Sequence, residues 1–100
     1  MASANVSLGS NGAEYEADTT ERTATMNRFG GFVTNAGSGL IGVNFEGAAV
    51  GTVSHAGAIA GLVGTQILDP GATLTIPVTC RSFKFKADGA GCVLSYSPRF

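Results

Sequence analysis

The sequence predicts an all-β fold, a small antiparallel β-sandwich or barrel-like domain with an extended N-terminal arm. Three observations predict it. Apolar residues recur with a period of two between Leu40 and Glu46, between Thr73 and Thr79, and in the last twenty residues. Short glycine-bearing turns punctuate these runs, at Gly37-Ser38-Gly39, Asp69-Pro70-Gly71 and Asp88-Gly89-Ala90-Gly91. Glycine, 15 residues in all, also interrupts the one long apolar stretch where a helix would otherwise form. One hundred residues suit a single domain that buries roughly two-thirds of its unfolded surface, enough for a core but not for a core and a deep cleft.

Residues 1–23 are polar, with Val6, Leu8 and Tyr15 as their only large apolar groups after Met1. Alone they bury too little to offset the entropy of ordering, so they read as a flexible tail or an arm ordered by a partner. The β domain is expected over residues 24–100. Phe29, Phe32 and Val33 open its first strand, and Ile41, Val43 and Phe45 alternate with Gly42, Asn44 and Glu46 in the next. The turn between them predicts a hairpin. Residues 47–64 are dominated by Gly and Ala and fit either two short strands or a compact loop. After Asp69-Pro70-Gly71, Leu74, Ile76 and Val78 point one way and the threonines the other. Pro77 cannot donate to a ladder, which puts that strand at an edge or at a bulge. A closing hairpin is expected from Ser82–Ala87 and Cys92–Ser97, with Phe85 facing Leu94 and Phe83 facing Tyr96. Phe83, Phe85, Leu94 and Tyr96 then point inward, and Lys84, Lys86, Val93 and Ser95 outward.

Chemistry finds no foothold in the pattern, and the chain does not read as an enzyme. Gly37-Ser38-Gly39-Leu40-Ile41-Gly42 spells the dinucleotide fingerprint, but a strand pattern follows where a helix is required, so no cofactor is expected. Cys80 and Cys92 fall too far apart along the expected hairpin to bridge, and with one His55 they make no zinc set. His55 stands between Ser54 and Ala56, and no Ser-His-Asp or Cys-His pattern assembles around it in the sequence. No basic stripe with interleaved aromatics suggests nucleic acid. The apolar run Ala48–Val63 is too short to cross a bilayer, and the first residues lack the pattern of a cleaved signal.

What remains is surface. Only 13% of residues are charged, about half the usual share, and a weakly charged, glycine-rich surface suits a chain that another protein covers. The charges are also segregated. Glu14, Glu16, Asp18 and Glu21 face only Arg22 in the first 27 residues, whereas Arg81, Lys84, Lys86 and Arg99 face only Asp88 in the last twenty. Such opposition favours contact between subunits or between arm and body. The candidate partner contacts are therefore Glu14, Tyr15, Glu16 and Asp18 in the arm, and Lys84, Lys86 and Arg99 on the closing hairpin.

Three stretches in order carry a family likeness: Phe32 to Phe45 as strand, turn and strand; Leu68-Asp69-Pro70-Gly71-Ala72-Thr73-Leu74-Thr75-Ile76; and Phe83 to Leu94 over a glycine turn. This arrangement resembles small β-sandwich virion proteins of tailed bacteriophages. The resemblance implies a capsid decoration, or cement, protein made in the host cytoplasm and carried on the virion, where it binds and stabilises the major capsid protein shell. It implies a homo-oligomer, a trimer by preference, with residues 1–23 laid across the lattice. Residues 47–64 or the Thr73–Thr79 edge are then the candidates for contact between subunits. The alternative is a tail or head-fibre component, including an adhesion domain for a carbohydrate or receptor. The lack of Trp, with only Tyr15 and Tyr96 as tyrosines, weighs against a sugar site.

Overall fold

A computed structural model of the chain describes residues 5–9, 11–47, 50–51, 53, 65–89 and 91–98. These residues form a β-sandwich of nine strands and no helix. The strands are β1 (Asn5–Gly9), β2 (Ala13–Ala17), β3 (Arg22–Met26), β4 (Gly31–Asn35), β5 (Ile41–Asn44), β6 (Thr65–Leu68), β7 (Thr73–Ile76), β8 (Ser82–Ala87) and β9 (Cys92–Ser97). One sheet has the order β1-β3-β8-β5-β6 and the other β2-β9-β4-β7. All neighbours are antiparallel except β1 and β3, which run parallel with a register shift between Ser7 and Gly9.

Among the described strands, the chain changes sheet at every connection but one, the link from β5 to β6. Each strand runs the length of the sandwich, so successive loops alternate between its two ends.

The core lies between the sheets. Phe83, Phe85 and Ala87 of β8, Ile41 and Val43 of β5, and Ala24 and Met26 of β3 meet Cys92, Leu94 and Tyr96 of β9, Val33 of β4 and Ile76 of β7. Burying each large apolar side chain stabilises the fold by about 1.5–3 kcal/mol relative to leaving it exposed. Phe83 and Phe85 pack with ring centres 6.0 Å apart; Tyr15 meets Phe85 edge-on at 5.7 Å, and Phe45 meets Phe83 at 5.5 Å. β5 is buried on both faces. Val50 and Val53 lie over its outer side, where a Cβ on Gly42 would come within 2.8 Å of Val50 Cγ1 and 3.0 Å of Val53 Cγ2. The other residues between 48 and 64, apart from Gly51, lie outside the described set, and His55 is among them.

Two expectations from sequence are corrected. Phe83, Phe85, Leu94 and Tyr96 do point inward, but β8 and β9 do not pair. They lie in opposite sheets, so these side chains face each other across the core rather than across a ladder. β8 pairs instead with β3 and β5, and β9 with β2 and β4. The link from β4 to β5 is likewise a crossing between sheets and not a hairpin. A period of two shows which face is buried; it cannot distinguish a hairpin from an arch, because both bury the same alternate residues.

The second correction concerns residues 1–23. Residues 5–9, 13–17 and 22–26 are strands of the sandwich, and Leu8, Ala17, Ala24 and Met26 belong to its core. The polar N-terminal segment need not supply its own core, because β8 and β9 offer it free edges and an apolar surface.

Candidate interaction surfaces

The alternating topology sorts the described loops into two ends with different chemistry. At one end lie residues 11–12, 27–30, 45–47 and 77–81. The 27–30 and 77–81 loops are tied by backbone bonds from Gly30 N to Cys80 O and from Met26 N to Arg81 O, both 2.9 Å. Here Phe29 and Val78 are each 56% exposed, and Phe32, the second residue of β4, is 41% exposed. They are the exposed large hydrophobics among the described residues. The Arg81 guanidinium sits 5.0 Å from the centre of the Phe29 ring, which holds the cation beside the apolar tip. The alternation that points Leu74, Ile76 and Val78 one way does not reach Val78, which lies beyond the end of β7 and faces solvent. β7 is the edge strand of its sheet and stops just before Pro77, where the donor is lost.

A cavity of about 560 Å³ opens beside this tip, with Phe45, Glu46, Gln66, Arg81, Phe83 and Lys84 in its wall. Cys80 also lines it, its thiol donating to Ser82 O at 2.7 Å.

The opposite end gathers residues 18–21, 36–40, 69–72 and the turn after Ala87. Its loops carry Asp18, Glu21, Asp69 and Asp88 and, among the described residues, no basic side chain. Asp18 Oδ1 accepts from Arg22, at the start of β3, at 2.6 Å and from Thr20 N at 2.9 Å. The hydrogen bond from Arg22 holds the Asp18 carboxyl below its ordinary range and raises the guanidinium. Glu21 accepts from Val50 N at 2.7 Å, fastening the segment that covers β5. Asp88 Oδ1 accepts from Leu40 N at 3.1 Å and lies 3.8 Å from the Cys92 sulfur. Burial first, and the Asp88 charge second, push the Cys92 thiol up.

Asn35 organises this end. It is fully buried at the end of β4. Its Nδ2 donates to Gly39 O at 2.9 Å and Leu68 O at 3.0 Å, and its Oδ1 accepts from Gly37 N at 3.2 Å. Its backbone N–H donates to Ala72 O and its carbonyl accepts from Gly71 N, so one residue clamps two crossings between the sheets.

The sequence-derived contact residues divide among different places. Glu14 and Glu16 stand on the outer face of β2, in rows with Ser95 and Val93. Lys84 and Lys86 are half-buried on the outer side of β8, in the other sheet. Glu14 and Glu16 thus stand on the opposite face from Lys84 and Lys86 and do not meet them within one chain. Tyr15 turns inward against Phe85, with the Arg22 guanidinium 5.4 Å from its ring centre. Asp18 is engaged by Arg22, and Arg99 lies outside the described residues. Residue order does not reveal Phe29, Val78, Arg28 and Arg81 as a set, because only the topology brings residues fifty positions apart to one tip.

The Gly37–Gly42 fingerprint falls in a loop and in β5, with no helix to hold a pyrophosphate. Among the described residues no three His, Cys, Asp or Glu side chains are grouped to hold a metal, and no helix is long and apolar enough to cross a membrane. No family model matches the chain, nor does any curated protein or solved structure.

Proposed function

We propose that this chain is a structural assembly protein, a cement that binds and stabilises a capsid shell by docking on its subunits. The observation that carries the reading is the arginine-rimmed apolar tip. Phe29 and Val78 are each 56% exposed, with Arg81 against the Phe29 ring. Apart from these two and Phe32, the large apolar side chains described are buried or half-buried. Exposed aromatic and aliphatic groups flanked by arginine have the composition of a protein-binding hot spot. Strands β1 to β3 lie within the sandwich, so in this reading the contact is made by the tip rather than by a loose arm.

The test is co-sedimentation of the purified chain with capsid shells lacking it, together with the melting temperature of those shells. Binding and a raised shell melting temperature support the reading. A Phe29→Ser, Val78→Ser double variant that folds normally and binds as well as the parent removes the tip from it.

The cavity favours a second reading, an adhesion domain of a tail or fibre. Its wall combines the hydroxyls of Thr23, Thr79 and Ser82 with Gln66, Glu46 and the half-buried Phe45 ring, groups that hydrogen-bond and stack on a sugar. A glycan array probed with the parent and with Gln66→Ala separates the two: hits lost on substitution favour adhesion, and no hits dismiss it.

A further inference from the structure

We propose that copies of this chain join end to end, the arginine-bearing tip of one seated on the aspartate-bearing end of the next. The inference rests on the reading of the chain as an assembly protein and names a second copy of the same chain as the partner of each tip inside a row. The tip at the end of the row is the one left to dock on a shell subunit.

Because every strand spans the sandwich and successive loops alternate ends, the sign of each end depends on which loops hold which charges. Among the described residues, the loops of one end hold Arg28 and Arg81 against Glu46, and those of the other hold Asp18, Glu21, Asp69 and Asp88. Arg22 pairs with Asp18 there and Lys86 lies beside Asp88, so the acids still outnumber the bases at that end. Arg28, Arg81, Asp69 and Asp88 are all exposed. Opposed charge at the two ends makes contact between unlike ends attractive and contact between like ends repulsive. Apolar area adds to it: Phe29 and Val78 project from the basic end, and exposed Pro70 and Ala36 stand among the acids. Contact between unlike ends is heterologous. It does not close on itself as a two-fold dimer does, but repeats into a row or a ring.

The experiment is sedimentation velocity on the whole chain over a concentration series at about 0.01 M and about 1 M salt, where charges are screened over about 30 Å and about 3 Å respectively. The wild type grows past the dimer with concentration at low salt and returns to the monomer at high salt. Arg81→Glu and Asp69→Lys each stay monomeric at low salt, with melting temperatures near the parent's as the check on folding. Mixed together they associate again, because the carboxylate introduced at position 81 of one variant now faces the ammonium introduced at position 69 of the other. A wild type that is monomeric at low salt at every concentration overturns the inference, as does association that survives both reversals or a mixture that stays monomeric. A monomeric chain that still binds capsid shells defeats the end-to-end contact while leaving the cement reading in place. Rows or rings that ignore shells do the reverse.

Discussion

Asn35 offers the sharpest test of the fold. Asn35→Ala removes both donors from the carbonyls of Gly39 and Leu68 and the acceptor from Gly37 N. The Leu68 bond is buried and the other two are partly so. A buried polar group left without its partner costs about 1–3 kcal/mol, and a partly buried one less, so the loss comes to about 3–5 kcal/mol. That is a large part of the roughly 5–15 kcal/mol that holds a domain of this kind folded. At about 4–8 °C per kcal/mol, the melting temperature falls by at least about 12 °C. Asn35→Asp keeps the shape and sharpens the test. Its carboxylate faces two carbonyl oxygens with no proton to give, so burial raises its folded-state pKa above the ordinary value of about 4. The variant's penalty is smallest below that value, where the neutral acid donates one hydrogen bond, and grows as pH rises toward neutrality. Urea unfolding of the parent and both variants at pH 4 and pH 7 gives all the numbers needed. If Asn35→Ala lies within about 1 kcal/mol of the parent, or if Asn35→Asp is hurt less at pH 7 than at pH 4, Asn35 does not clamp the two crossings.

Four further outcomes follow from single contacts. Gly31 has φ +123°, and a Cβ there would lie 2.6 Å from the Ser97 carbonyl oxygen; Gly31→Ala should therefore cost about 2–4 kcal/mol by thermal or urea unfolding. The Tyr96 hydroxyl is buried without a hydrogen-bond partner among the described residues, and burial pushes the phenol up. Tyr96→Phe should then be neutral or stabilising by about 1 kcal/mol, and a clear loss of stability would reveal a bond to that hydroxyl. Asp18 has a lowered folded-state pKa through Arg22, so the contribution of the pair is full above the ordinary value of 3.8 and is lost as pH falls through the lowered one. Asp18→Asn should flatten the fall in stability below pH 4, and an unchanged acid limb in urea titrations would count against the pairing. The Cys92 thiol, raised by burial, should react with a thiol reagent at least about tenfold more slowly in the folded Cys80→Ser protein than in denaturant.

Much of the fold is legible in the sequence because alternation reports burial directly. The inward set Phe83, Phe85, Leu94 and Tyr96, the strand through Ile41 and Val43, and the edge position before Pro77 are all readable from residue order. Pairing is not. Four residues between Ala87 and Cys92 suit a hairpin or an arch equally well. The choice is made by partners far away in sequence, Ala24 and Val43 for β8, and Val33 and Tyr15 for β9. The N-terminal strands carry a faint signal in Ala13-Glu14-Tyr15-Glu16-Ala17, alternate in polarity but short. Judged alone it cannot offset its ordering entropy; set beside β9 it has no need to. The two ends and their opposite charges are invisible for the same reason, since Arg28 and Arg81, or Asp18 and Asp69, come to one end only when the topology is known.

The chain's crossings also set a timetable for synthesis. The central strands β8 and β9, which join β3 to β5 in one sheet and β2 to β4 in the other, are the last two in the sequence. Until they leave the ribosome, β3 has no antiparallel mate and β2 has no mate at all, so both sheets lack their central strand and the apolar faces they would cover. At about 5–20 residues per second that wait lasts seconds, long enough for an exposed strand to find a wrong partner. A chain stalled before Ser82 should therefore need a chaperone, or a neighbouring copy, to hold it in solution.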